Sequence, residues 1–548
     1  MANLIARNST GFTTATTWGV AEAGASATQL TRSSSTNTTT SYVYPTADFT
    51  VTLNDNVEGL LLRCKRLTST GTVTVTLSPD SGTTPGQEVT INATDLSLTD
   101  DTWVFFKFGT PMVGLGTATY AVGIKGSSAG NATFYRDGTT ANWTRILRTD
   151  ATQVPVAADT FYIAGEWTAA ATVTALTVTL NETATTDYGL MDIGQNGTAT
   201  AGVVAATNYN LKLSGDLNVW AGGTLSLGTV GTPVPTGSTF KLNFDCGSNV
   251  QYGLIVNNQA TFIAQGATKT VKAFLAANAI ATATALTTDV STGWKNGDEI
   301  AIASTTRTAA ESEKKTMGAD AITTSIGTIA ALTNAHSGTS PTRAELGNLT
   351  RNVQIFGASA SLQTYIQLTS TSISDVDYAE FYWMGSGTSS KRGIDIEVTT
   401  GTANWQYFSI HDFSVSSSCG IQVSLGPTSG SVTVSNGVFH AIHTYAFVIS
   451  GATAGTWTFS DNLAIRNSSS YLLYFVSYNG VITNNTATGG VAEGFWLAPS
   501  TSEVQGTFSG NTMHSNAGAG FYIGSLVLTP LTLTSTTSWR NNSYPDDK

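Results

Sequence analysis

A short strand-like segment returns at nearly constant spacing through the last third of the chain. It starts at Gly393 (Gly-Ile-Asp-Ile), Gly420 (Gly-Ile-Gln-Val), Ala446 (Ala-Phe-Val-Ile), Leu472 (Leu-Leu-Tyr-Phe), Gly494 (Gly-Phe-Trp-Leu) and Gly520 (Gly-Phe-Tyr-Ile), with separations of 27, 26, 26, 22 and 26 residues. One apolar strand per repeat at that period cannot bury itself alone; it needs the repeat above and below, as in a solenoid. A second marker keeps step. Asn436, Asn462, Asn485 and Asn511 each fall nine or ten residues before a strand start. Stacked coils would bring these amides into an internal ladder, each bonding its neighbours at about 4.8 Å spacing. By the same period Ile410 and Trp383 hold the position in earlier coils, so the ladder is expected to begin at Asn436.

Side chains alternate across a strand, which sorts each repeat into an inward and an outward set. Ile394, Ile421, Phe447, Leu473, Phe495 and Phe521 form the expected internal column. Asp395, Gln422, Val448, Tyr474, Trp496 and Tyr522 form the outward one. Its last three members make an aromatic stripe, and an apolar stripe on a surface calls for a partner. The expected partner is the Leu526–Leu533 tail or an identical subunit, with glycan stacking the other reading, since Tyr and Trp combine an apolar ring with a polar tip.

Composition agrees with an all-β chain. Of the 548 residues only 11% are charged, well under the usual quarter, and Thr, Ser, Gly and Ala take up the difference. Three units are expected. Residues 1–165 alternate in segments such as Val73–Leu77, Trp103–Phe108 and Tyr120–Ile124, between Gly, Asp and Ser turns, which predicts an N-terminal antiparallel β-sandwich. In 166–350 short apolar pairs (Leu211/Leu213, Leu217/Val219, Leu254/Val256) alternate with Gly corners and read as stacked coils. Residues 351–548 hold the clear repeat and a tail. Trp143, Arg145 and Arg148 mark a sheet edge or junction with solvated arginines.

Within the middle region stand three segments: Gly293-Trp-Lys-Asn-Gly-Asp-Glu-Ile-Ala-Ile-Ala-Ser-Thr305, His336-Ser-Gly338 and Arg343-Ala-Glu-Leu-Gly-Asn-Leu-Thr-Arg-Asn-Val353. Together they make roughly residues 200–360 resemble the G8-domain family, which precedes a right-handed parallel β-helix in large extracellular and membrane-anchored animal proteins and in bacterial and phage relatives. The resemblance implies that same right-handed architecture after residue 351. Some animal relatives are implicated in hyaluronan turnover, but no agreed catalytic residue matches a position here, so no activity is implied.

Net charge is −11, with no Lys/Arg stripe of the kind nucleic acid requires. Cys64, Cys246 and Cys419 are odd in number and far apart, which suits buried thiols rather than disulfides or a zinc site. The opening residues lack the apolar core of a secretory leader, and no run of about 18 apolar residues would span a bilayer. Carboxylates that could act as a glycosidase pair are present: Asp375, Asp377 and Glu380, then Asp395 and Glu397. The period sets His411 and Asp412 over Met384 and Gly385 instead, so these acids make no single column and read as solvated. His440 and His443 lack a third ligand, so no metal, and no other cofactor, is expected. No catalytic residue can be assigned.

The function these features favour is a bacteriophage virion structural protein: a tail fibre, spike or surface appendage, assembled in the host cytoplasm. It would be homo-oligomeric (a trimer favoured), contact other virion proteins, and bind host glycans. Polysaccharide-degrading β-helix enzymes and bacterial surface adhesins are the alternatives.

Overall fold

The computed structural model describes residues 208–541, apart from 248–249, 387, 389, 424–429, 450–455, 468–470, 476–479, 498–506 and 524–532. Before residue 208 it describes little beyond the strands. The fold is all-β. Among the described residues the one helical turn is the 3-10 segment Ala309–Glu311, and no helix is long and apolar enough to cross a membrane.

The chain forms two compact units, the first comprising Met1–Val178, Gly194–Thr200 and Ala221–Gly223. This first unit holds two antiparallel four-stranded sheets, the strand content of the expected sandwich. One is ordered Ala27–Leu30, Ala132–Asp137, Val57–Arg66, Thr102–Met112; the other Thr50–Leu53, Ala118–Gly126, Thr72–Ser78, Gln87–Asn92. Val73, Val75 and Phe106 are buried. The strand Arg145–Leu147 pairs in parallel with Tyr162–Ala164, whereas Trp143 and Arg148 lie outside the described residues.

The second unit is a parallel β-helix. Each coil contributes one strand to each of three parallel sheets, designated I, II and III. In one coil these are Gly393–Ile396, Thr402–Gln406 and Ser409–Phe413; in the next, Cys419–Val423, Ser431–Ser435 and Val438–Ile442. The same sheets take in earlier strands, such as Leu217–Val219 in sheet I, Thr261–Gln265 in sheet II and Phe240–Phe244 in sheet III. The repeat register is met in full: Ile394, Ile421, Phe447, Leu473, Phe495 and Phe521 pair rung on rung. The first five are at most 1% exposed.

Regular kinks turn the chain into and out of sheet III. Tyr378, Tyr407, Asn436, Asp461, Asn484, Gly510 and Ser535 take positive φ before successive strands. Trp383, Gly489, Ser515 and Arg540 do so just after them, and Asp412, Ala441 and Arg466 do so at the next-to-last position of theirs. Asn tolerates this left-handed conformation better than most residues, and that is the role of Asn436 (φ 54). It therefore stands one place before the ladder. Gly437 holds the ladder position, with Phe408 and Ala379 below it rather than Ile410 and Trp383. A Cβ on Gly437 would lie 2.4 Å from the Phe408 ring, so no amide fits there.

The ladder itself comprises Asn462, Asn485 and Asn511, all buried. Asn462 Nδ2 donates to Asn485 Oδ1 and Asn485 Nδ2 to Asn511 Oδ1, both at 3.0 Å, while Asn462 Oδ1 accepts from Gly437 N. A second ladder, unforeseen, runs at the far end of sheet III. Asn516 Nδ2 donates to Asn541 Oδ1 at 3.0 Å, and Asn516 Oδ1 accepts from Gly490 N.

Between the sheet II strand Thr261–Gln265 and the sheet III strand Val353–Gly357 the coil is interrupted. Residues 267–352 form a module around an antiparallel sheet ordered Lys272–Phe274, Glu345–Asn348, Glu299–Ile302, Glu313–Thr316. Trp294 is its buried centre, packed among Ile300, Ile302, Met317, Ile326 and Leu346, with its indole N–H donating to Thr270 O. Asp298 ties the module's ends together, accepting from Lys295 N, Lys269 Nζ and Asn348 Nδ2. The module lies on the outer face of sheet III, where its Val271, Ala301, Ala303 and Leu349 pack with Val438, Leu463 and Ile465.

Candidate functional site on the outer faces of the solenoid

The outer face of sheet I carries the aromatic stripe. Tyr474, Trp496 and Tyr522 pair on consecutive coils, and all three are partly exposed. Two further rings, Tyr445 and Tyr471, join them. Each stands two residues before an inward-facing residue, Phe447 or Leu473, and so makes a second column beside the first. Neighbouring centroids are 5.2 Å apart for Tyr445–Tyr474, 4.1 Å for Tyr471–Trp496 and 4.3 Å for Trp496–Tyr522. Glu493 follows Tyr471 in the second column, and burial together with Glu493 raises the Tyr471 phenol pKa. Burial also raises that of Tyr474, so both rings stay neutral. The Trp496 N–H has no acceptor among the described residues. Of the proposed tail cover, Leu526–Leu533, all but Leu533 lies outside the described residues. Lower in the stripe Asp395 and Val448 are buried, where a solvated acid was expected at Asp395.

Sheet III presents a different outward column: Phe356, Tyr382, His411, His440, Ile465 and Thr488 on successive coils. The inserted module covers it. His411 stands over Tyr382, not Met384, because the coil between them runs 29 residues rather than 27. This register joins acids that the sequence kept apart. His411 Nε2 meets Glu380 Oε1 at 3.2 Å and His411 Nδ1 meets Asp412 Oδ2 at 2.9 Å. Lys314 of the module then bonds Asp412 at 2.6 Å and Glu299 at 3.1 Å. Glu380 also accepts from Arg351 N and Gln354 Nε2, which explains why it is buried rather than solvated.

The result is a chain of alternating charge from solenoid to module. Burial alone would lower the His411 pKa, but its bonds to Asp412 and Glu380 outweigh that and push it up to about 9. Asp412 is held below the carboxylate range: burial opposes this, but His411 and then Lys314 prevail. Next along the column, His440 has no partner on either ring nitrogen among the described residues, and burial lowers it to about 3. His443, half-buried, contacts Thr444 Oγ1 instead. Glu299, His411 and Asp412 bring donor atoms within 4.8 Å of one another, a spacing that could hold a metal ion. The Lys314 ammonium already pairs with both carboxylates, so the arrangement works as a closed ionic clamp.

The outer face of sheet II is polar. Asp375 and Asp377 project from one strand; Asn404 Nδ2 donates to Asp375 Oδ1, and Asp377 is pushed up to about 6 by burial and then by Asp375. Cys246 and Cys419 are free, buried thiols, as expected.

A family model described as the right handed beta helix region matches residues 392–544. The solenoid is thus a right-handed parallel β-helix, as the repeat and the resemblance led one to expect. No curated protein matches the chain in sequence. Among solved structures the chain is similar to the Gp54 tailspike of Acinetobacter baumannii bacteriophage AP22, solved with a capsular saccharide (10% identity, 66% of this chain and 64% of that one, TM-score 0.17). It thus spans less than two thirds of that tailspike's length. It is also similar to the tailspike gp49 of Pseudomonas phage LKA1 (10% identity, 66% and 70%, TM-score 0.17) and to the catalytic domain of a GH87 alpha-1,3-glucanase (8% identity, 92% and 88%, TM-score 0.22).

Proposed function

We propose that this chain is a bacteriophage virion surface protein, a tail fibre or spike, whose β-helix binds a host-surface glycan on the aromatic face of sheet I. The observation that carries the reading is the five-ring cluster Tyr445, Tyr471, Tyr474, Trp496 and Tyr522. A permanent subunit interface resembles a core cut in half and is apolar throughout, even where it uses Tyr and Trp. Here every member is an amphipathic aromatic, whose ring suits the C–H face of a sugar and whose tip suits its hydroxyls. In this reading the protein is a homotrimer joined through other surfaces, the 267–352 module forms part of a G8-like region spanning roughly residues 200–360, and the N-terminal unit serves attachment to the particle.

The test is the triple variant Tyr474→Ser, Trp496→Ser, Tyr522→Ser, followed by light scattering and by binding to host cells. Loss of binding with the oligomer intact is the expected result. Loss of the oligomer instead would assign the face to a subunit contact, and absence of the protein from purified particles would end the virion reading.

One observation favours a second reading, a polysaccharide hydrolase: the pair Asp375 and Asp377, in which Asp377 is raised to about 6, the range of a general acid. Release of reducing ends that Asp377→Asn abolishes would establish it.

A further inference from the structure

The charge around the aromatic face limits what it binds. Between Arg392 and Arg540 the sequence has a single basic residue outside histidine, Arg466, against six acids: Asp395, Glu397, Asp412, Asp461, Glu493 and Glu503. Over the coils that carry the rings, therefore, the sequence supplies no lysine and a single arginine. The acid that stands in the ring cluster is Glu493, next to Tyr471 in the second column. Recognition of a carboxylated or sulfated polymer rests on Arg and Lys donors, which pair such groups directly and draw them in from solution. This face offers rings and an acid, and an anionic chain laid across it would be repelled.

The rings also set a direction. Tyr445, Tyr474, Trp496 and Tyr522 stand on four consecutive coils. At about 4.8 Å per coil they extend some 14 Å along the solenoid axis, the length of a short oligosaccharide. Across the strands the platform is two columns wide.

We infer that the aromatic face of sheet I binds an uncharged polysaccharide, a few sugar residues of which lie parallel to the solenoid axis, and that it discriminates against acidic polymers. This deepens the glycan-binding reading and rests on it. The full-length protein would be titrated against bacterial surface polysaccharides, neutral and uronic-acid-containing, at low and high ionic strength, with hyaluronan as an acidic standard. The expected result is binding confined to neutral polymers and indifferent to salt. Trp496→Ser should weaken it about tenfold or more, the loss of one stacking partner. Glu493→Lys, which sets a cation beside Tyr471, should admit hyaluronan in a salt-sensitive manner.

Trp496-dependent binding of an acidic polymer by the unaltered protein would overturn the neutral preference and leave glycan binding standing. If no polysaccharide of either class binds, the glycan reading falls and this inference with it.

Discussion

Sheets I and III belong to the same coils and present outward columns of similar size, yet one is sealed and the other is not. On sheet III, His411, His440, Ile465 and Thr488 are at most 2% exposed beneath the inserted module. On sheet I, Tyr474, Trp496 and Tyr522 stay partly exposed. The covered column mixes charge with apolar packing, and its ions find counter-ions on the module. The open face has Glu493 as the acid in its ring cluster and depends on ring-to-ring contact. A coil stack is indifferent to its outer residues, because its own stability comes from the inward column and the ladders. What lies outside is free to specialise, as a seat for a domain on one face and as a contact surface on another.

The sharpest way to break this contrast is to remove the charge that holds the covered side. His411→Leu removes the cation bonded to Glu380 and Asp412 and should cost about 3–5 kcal/mol, the usual consequence of breaking a buried pair. A pH series checks the cause. Because the folded His411 pKa is raised to about 9, its stabilisation is complete below about 6.5 and fades as pH rises through about 9. Thermal melts of the unaltered protein should fall over that window, and those of the variant should not.

A second change asks whether the coil beneath is common to both faces. Asn485→Ala removes the acceptor of Asn462 N and the side-chain donor to Phe459 O, and should cost about 1–3 kcal/mol in urea unfolding. Asn436→Gly, one place outside the ladder, should stay within about 0.5 kcal/mol. Equal losses for the two would return Asn436 to the ladder.

The smallest effect has the opposite sign. His440 buries two nitrogens with no partner among the described residues, so His440→Leu should stabilise the protein by about 1–2 kcal/mol. With its folded pKa lowered to about 3, His440 supports folding fully above about 6.5 and loses that support as pH falls through 3. The leucine variant should therefore resist acid better. A destabilised variant would mean that the ring nitrogens are satisfied by water.

Most of the solenoid was legible because its signal is local and repeated. Alternation within four residues set the inward and outward columns, and a steady period set their register. The ladder was misplaced by one position at Asn436, since a sequence does not tell an asparagine chosen for positive φ from one chosen for its amide. The second ladder was overlooked although Asn516 and Asn541 stand 25 residues apart, close to the period of the first. Coil length defeated the placement of His411: the longer loop after Trp383 slips the register by two residues, and only pairing reveals it. The ionic clamp was beyond reach for the same reason, because Lys314 and Asp412 meet across nearly a hundred residues. The aromatic face was read in part, missing Tyr445 and Tyr471, which lie outside the strict alternation.

The module's two ends come together at the solenoid surface, where Ala267 N donates to Asn352 Oδ1 at 2.8 Å and Asn352 Nδ2 donates back to Val234, Pro235 and Ser238 carbonyls. In later coils the same corner is turned by a single kinked residue. A whole domain is thus spliced into a hairpin's worth of space, and the joint alone would let it be excised or exchanged like a cassette. The seat forbids this. Any replacement would inherit Val438, Leu463 and Ile465 to cover and Asp412 to neutralise, so the joint is portable while the cargo is not.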